Sequence, residues 1–288
     1  MRFRTDCPVH IVMLGCGGTG GHIAPHLYRL LHALFRPSKV ILCDGDIVEK
    51  KNLVRQNFIA SDLGKNKAEV LATRYSGAFG METCFSDRFA ESEQQLKNLL
   101  APNQRNALVI LIGAVDNNRS RQLCNSVFYQ MRELIYIDSG NGLSSGQVVC
   151  GIRRNNRTVQ KPVARFYPDI LEPTDKFPSE RSCAEASVSA PQAITANIMA
   201  ATLVLCILSE LRWNIRRRWR RNQQTRTASD PEGNTGGNDP PHDRRRGSGT
   251  QRTGGHDLRN GKAGRADRVR NALLRRSELV DGMRRPSW

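Results

Sequence analysis

The residues in this chain best suited to chemistry are glycines, carboxylates and cations placed at the ends of apolar runs. MLGCGGTGGH, residues 13–22, follows HIVML and sets Gly15, Gly17, Gly18 and Gly20 in a G-x-G-x-x-G spacing with one further glycine. Such a loop turns tightly, lets backbone approach a phosphate, and opens a helix whose first N–H groups face the anion. Asp44 closes the next apolar run, KVILCD, 24 residues beyond Gly20, where a carboxylate can accept hydrogen bonds from ribose hydroxyls. These two features suit a nicotinamide enzyme as well as an ATP enzyme. DGDIVEKKNLVRQNF separates them, because it adds Asn52, Arg55 and Gln56, with Lys67 shortly after. A dinucleotide's pyrophosphate is already held by the glycine loop. A triphosphate needs the second polar and cationic set, since charge must be neutralised where pyrophosphate departs.

Those side chains have to be positioned by the elements between them. Helix-like segments, from about residue 20 to 35, at NKAEVLATRY, near 91–100 and from about 119 to 131, alternate with the runs KVILCD, METCF, ALVILIGAV and LIYIDSG. The alternation and the nearly continuous apolar strands predict an α/β fold with a Rossmann-like, doubly wound, mostly parallel sheet. Ligands then sit at the carboxyl ends of the strands. GQVVCGI, residues 146–152, has no helix behind it and is expected to turn back as an antiparallel edge strand. The polar, proline-dotted stretch 153–181 reads as a long crossover loop.

Charge divides the chain. Residues 212–288 carry 20 Lys+Arg against 8 Asp+Glu, a net of +12 out of the total +17, which leaves +5 for residues 1–211. The front reads as one nucleotide-binding domain, and the back as a basic, low-complexity tail without apolar periodicity, expected to be mostly disordered apart from a short helix at 269–280. The tail either binds nucleic acid or acidic partners weakly, or is a solvated linker. The eight cysteines are scattered, with no CxxC pair and no leader before Cys7, which points to a reducing cytosol, free thiols and no zinc. Residues 186–209 are uncharged, but Gln192, Thr195, Asn197 and Thr202 interrupt them, so packing against a sheet or a subunit interface is expected instead of a membrane span.

Five segments in fixed order, GCGGTGG, DGDIVEKKNLVRQNF, GKNKAE, AVDNNRSR and SCAEASVSAPQ leading into the long apolar helix, give the chain its resemblance. Over about residues 9–210 it resembles the ThiF/MoeB/HesA family, bacterial relatives of ubiquitin-activating enzymes. The resemblance implies ATP-dependent adenylation of a carboxylate, normally the C-terminus of a ubiquitin-like or sulfur-carrier protein, by a cytoplasmic homodimer using magnesium. It implies that Asp44, with Asp46 beside it, holds the ribose end, and that Asn52, Arg55, Gln56 and Lys67 meet the phosphates. Asp116 matches the acid that organises magnesium and the reacting phosphate, with Asn117 and Arg121 completing D-N-x-x-x-R and shaping the wall. Arg55 as a surface cation and Asp116 as a helix N-cap are the plainer readings of those two residues. Cys183 falls where some relatives carry an acyl-accepting sulfur. Arg181 and a following helix start would favour its thiolate, and the other reading is a small residue entering a buried helix.

The chain departs from the family in three ways. It lacks the CxxC pairs that hold structural zinc, its early residues offer only Arg2 and Arg4 for the arginine that relatives send into a neighbour's site, and its long helix runs into the Arg/Gly/Pro-rich tail. Since neither a rhodanese extension nor a zinc site marks a cofactor-biosynthesis member, members on bacterial mobile elements, including PRTRC plasmid systems, are one subset that the chain resembles. The competing readings are an NAD(P)-dependent oxidoreductase and a non-enzymatic, nucleotide-sensing protein that binds nucleic acid through the tail.

Overall fold

The computed structural model describes residues 7–35, 37–142, 145–173, 175–180 and 193–227, with side chains as far as residue 211. Arg2, Arg4, Arg181, Cys183 and the expected disorder and short helix of residues 228–288 lie outside the described residues.

Strands β1 (Val9–Leu14), β2 (Ser38–Cys43), β3 (Phe85–Ser86), β4 (Leu108–Gly113), β5 (Leu134–Asn141), β6 (Gly146–Arg154) and β7 (Arg157–Gln160) form one sheet in the order 3-2-1-4-5-6-7. β1 to β5 pair in parallel and β6 and β7 antiparallel, the arrangement expected from the alternating runs. Helices α1 (Gly18–His32), α2 (Lys67–Phe79), α3 (Glu93–Leu100), α4 (Asn118–Gln130) and α5 (Ile194–Thr227) cover the sheet. Every residue of β1 is buried, because both faces are covered and both must be apolar. Val9, Ile11 and Met13 pack with Ile23, Leu27, Leu71 and Val204 of α1, α2 and α5. Val12 and Leu14 pack on the other face with Leu96, Leu123 and Phe128 of α3 and α4.

Two segments differ from expectation. The stretch after residue 153 contains a hairpin and three short 3-10 turns in place of a long loop. Asn155 and Asn156, at φ 49° and 61°, supply the paired left-handed residues of a two-residue hairpin turn. α5 continues past residue 211, where the tail was expected to begin, to Thr227. Neither Gly nor Pro interrupts residues 194–227, so a helix once packed has no local reason to stop. The segment Ile194–Leu211 is long and apolar enough to cross a membrane, but its inner residues Ala196, Ala200, Ala201, Val204 and Leu208 are buried and the helix packs on α1, β5 and β6.

Candidate active site

The site begins at the turn after β1. Gly15 has φ 89°, and a Cβ there would lie 2.3 Å from the Ala114 carbonyl oxygen, so only glycine lets the β1 and β4 loops meet. A Cβ on Gly20 would lie 2.0 Å from Gly15 O. Gly20 therefore seats α1 beneath the loop and does not face the ligand space. Gly17 caps α1 without a side-chain hydrogen bond and no acid stands in the first turn, so those N–H groups remain donors for an anion. Gly20→Ala should lower stability by about 1–3 kcal/mol or more through backbone overpacking. Gly77→Ala, in the α2 interior with nothing within 4 Å, should raise it by roughly 0.5–1 kcal/mol. Urea unfolding of the two variants checks both signs.

Asp44 follows β2 and is buried. Its Oδ2 accepts from Cys16 N at 2.6 Å and its Oδ1 from Asp46 N at 2.9 Å. Burial pushes its carboxyl up to about 6, against the opposing pull of Lys67 and with a further push from Asp46. Lys67 starts α2 behind the Asn66 cap, whose side chain accepts from Glu69 N. Its Nζ donates to Asp46 Oδ2 at 2.8 Å. Burial works against the ammonium, but Asp44 and Asp46 outweigh it and the Lys67 pKa rises. The cation therefore stays charged inside the wall.

Asn52 is buried behind these groups. Its Oδ1 accepts from Glu49 N at 2.8 Å, and its carbonyl accepts from Arg55 N and Gln56 N at 3.4 and 2.9 Å. It builds the turn that presents Arg55 and Gln56. Gln56 lies beside Gly17, and its buried Oε1 has no hydrogen-bond partner among the described residues.

On the β4 side the strand ends at Gly113, and Asp116 stands three residues further on, exposed in the loop before α4. The α4 cap is Asn117, whose Oδ1 accepts from Ser120 N at 2.7 Å, so Asp116 has no capping duty. Arg121 fixes this loop: its Nη2 donates to Val115 O at 2.6 Å and its Nη1 to Asn118 Oδ1 at 3.2 Å. Buried Asp138 lies 3.4 Å from Arg121 Nε and accepts from Tyr136 Oη at 2.7 Å.

These groups converge on a cavity of about 580 Å³ lined by Gly15, Gly17, Gly18, Asp44, Asp46, Arg55, Gln56, Lys67, Asp116, Asn117 and Arg121. It opens where the strand order reverses, between β1 and β4, which is the ligand position of such sheets. The ThiF family model matches residues 8–233. The chain belongs to the ThiF family. Solved structures similar to this ThiF-family chain include MccB of E. coli with succinimide (TM-score 0.50, 19% identity, covering 74% of this chain and 57% of that one). MccB of E. coli with ATP (0.49, 19%, 74% and 56%) and PaaA (0.48, 18%, 73% and 57%) are further examples. The chain thus spans a little over half the length of these structures, and at such identities the likeness is one of fold. No curated protein matches the sequence.

Among the predicted site residues, Gly20 and Asn52 stand behind the ThiF cavity wall, and Cys183 lies outside the described residues. Sequence reasoning missed Phe89, Thr19, Asn141 and Gln147, which also line it. Phe89 packs so closely on Gly45 that a Cβ there would meet the ring at 2.7 Å. It offers an apolar face at the end beyond Asp44, and a lone aromatic outside any periodic run gives no signal of that role.

Proposed function

We propose that this protein adenylates a carboxylate, and that its substrate is the C-terminus of a small ubiquitin-like or sulfur-carrier protein. The observation that carries this reading is the convergence of the α1 N-terminus, Arg55 and Lys67 on one cavity with Asp116, two cations and an acid beyond what a dinucleotide needs. Adenine lies toward Phe89, the ribose hydroxyls donate to Asp44, and the phosphates meet the glycine loop, Arg55 and Lys67. One oxygen of the substrate carboxylate attacks the α-phosphorus while the bond to the β-phosphate oxygen breaks. The acyl-adenylate forms and pyrophosphate leaves with the bonding pair. The carboxylate is already ionised at neutral pH, so no general base is required, and catalysis is positioning plus charge stabilisation.

Asp116 makes no hydrogen bond among the described residues, whereas Asp44 and Asp46 are engaged with backbone and Lys67. One free carboxylate beside phosphate oxygens fits magnesium, which takes few protein ligands and keeps its waters. Bound there, it would neutralise phosphate charge. Among the described residues no group of three or more His, Cys, Asp or Glu could hold a metal ion, so magnesium at Asp116 would take its other ligands from phosphate and water.

ATP–pyrophosphate exchange tests the reading, with a small ubiquitin-like protein ending in Gly-Gly as the carrier. Exchange should require the free C-terminal carboxylate and vanish when it is amidated. Hydride transfer to a nicotinamide, or no binding of ATP, would overturn the assignment. Transfer to Cys183 is part of the same proposal: Cys183→Ala should keep exchange and lose a thiol-sensitive adduct with the carrier. We take the working enzyme to be a cytoplasmic dimer.

Asp44 makes sugar binding pH-dependent. Its carboxyl is raised to about 6, and the ionised form is the stronger acceptor for ribose hydroxyls. Affinity should be full above that pH and fall as pH drops through it, not near 4 where an ordinary carboxyl titrates. Adenosine, with no phosphate to titrate, is the probe. Asp44→Asn should abolish the step, and an unchanged wild-type affinity from pH 8 to 5 would remove Asp44 from the ribose.

A further inference from the structure

Behind the glycine loop lies a polar chain that the reaction scheme does not use. Asn197, in the first turns of α5, is fully buried. Its Oδ1 accepts from Asn141 Nδ2 at 2.7 Å, and Thr19 Oγ1 donates to Asn141 Oδ1 at 3.0 Å. The Thr19 hydroxyl also lies 3.4 Å from Asn197 Oδ1. Asn197 Nδ2 has no partner among the described residues. It rests against Gly18, where a Cβ would come within 2.4 Å of it.

A buried donor without an acceptor lowers stability, and an apolar residue on this face of α5 would avoid that cost. What the amide supplies is connection. Gly18 and Thr19 belong to the first turn of α1 and Asn141 to the end of β5, and all three line the cavity. The asparagine joins them to a third element that does not line it. Gly18 has no side chain to steady it, so the contact with the Asn197 amide limits its backbone on the side away from the ligand space. A local rule broken inside a well-packed core marks a place where another requirement prevails.

We propose that Asn197 is a positioning residue for the phosphate cradle: from behind the loop it holds Gly18, Thr19 and Asn141 where they meet the nucleotide's phosphates. This rests on the adenylation reading, because it takes the glycine loop to hold ATP. The effect belongs to the phosphates and not to the base or sugar, which this reading assigns to Phe89 and Asp44, since the Asn197 bonds run to Thr19 and Asn141 and not to Asp44.

Calorimetry with two probes, ATP with magnesium and adenosine, tests it on the full chain. Asn197→Ala should weaken ATP by about tenfold, from a lost buried hydrogen bond, and leave adenosine within about twofold of wild type. Asn197→Ser keeps an oxygen on a shorter arm and carries the same comparison if the alanine variant does not fold. Equal losses for both probes would make Asn197 a fold residue, and no loss for either would show that the chain is idle; each outcome overturns the proposal. Wild-type protein that binds no ATP would overturn the adenylation reading and this inference with it, an outcome distinct from the other two.

Discussion

Asp116→Asn should keep ATP and lose the reaction. The residue lies beyond β4, in the loop that Arg121 ties down through the Val115 carbonyl, on the opposite side of β1 from Asp44. It caps no helix and makes no hydrogen bond among the described residues, so its removal leaves the fold and most nucleotide contacts in place. Asparagine keeps the size and deletes the charge assigned to the metal. ATP affinity should fall modestly while carrier adenylation falls at least about a thousandfold, or roughly 4 kcal/mol of transition-state stabilisation. Calorimetry beside carrier-dependent pyrophosphate release reads the two separately. Equal losses would make Asp116 a binding residue, and no loss would remove it from the chemistry.

Arg55→Ala and Lys67→Ala should each slow adenylation by on the order of a hundredfold, the cost of removing an oriented charge stabiliser. The two should differ in kind. Lys67 also holds the carboxylates: its Nζ meets Asp46 at 2.8 Å, and its charge draws the buried Asp44 carboxyl down from the still higher value that burial alone would set. Lys67→Ala should therefore weaken nucleotide binding as well as rate, and move the adenosine step above pH 6. Arg55→Ala should act on the phosphate-dependent step and leave adenosine binding unchanged. Exchange assays on both variants, with adenosine titrations at pH 6 and 8, check the contrast. Near-normal exchange in both would remove the second cationic set from the proposal.

Much of this site is visible in the sequence because it lies on apolar strand ends. β1, β2, β4 and β5 pack on both faces and stand out as apolar runs, so Gly15, Gly17 and Asp44 can be placed at their carboxyl ends without coordinates, whereas Asp116, expected at the end of β4, stands three residues past it. Asn52 is less legible, since a polar residue in a turn can face the ligand or hold the turn, and here it accepts from Glu49 N. β3 is only two residues long and takes in only the last residue of the run METCF, so the loop carrying Phe89 had no clear strand end to mark it. Asn155-Asn156 was a local signal for the β6–β7 hairpin, masked by the polar composition around it. Asn197 stood out only as an interruption of an apolar helix. Its partners, Thr19 and Asn141, are 178 and 56 residues away, a relation that no local pattern contains.

The two hydrogen bonds that end on Asp44 limit how this protein could be re-engineered. Changing the acid after the second strand is an obvious way to alter which sugar a nucleotide fold accepts. Here the same carboxylate anchors Cys16 N and Asp46 N, so a residue chosen for a new ribose substituent would strip two backbone donors of their acceptor, at about 1–3 kcal/mol for each one left buried and unpaired. Sugar preference and loop shape are therefore one trait in this protein. A redesign would have to replace the glycine turn together with the acid, and a lineage drifting by single substitutions would meet a stability barrier before it reached a new cofactor.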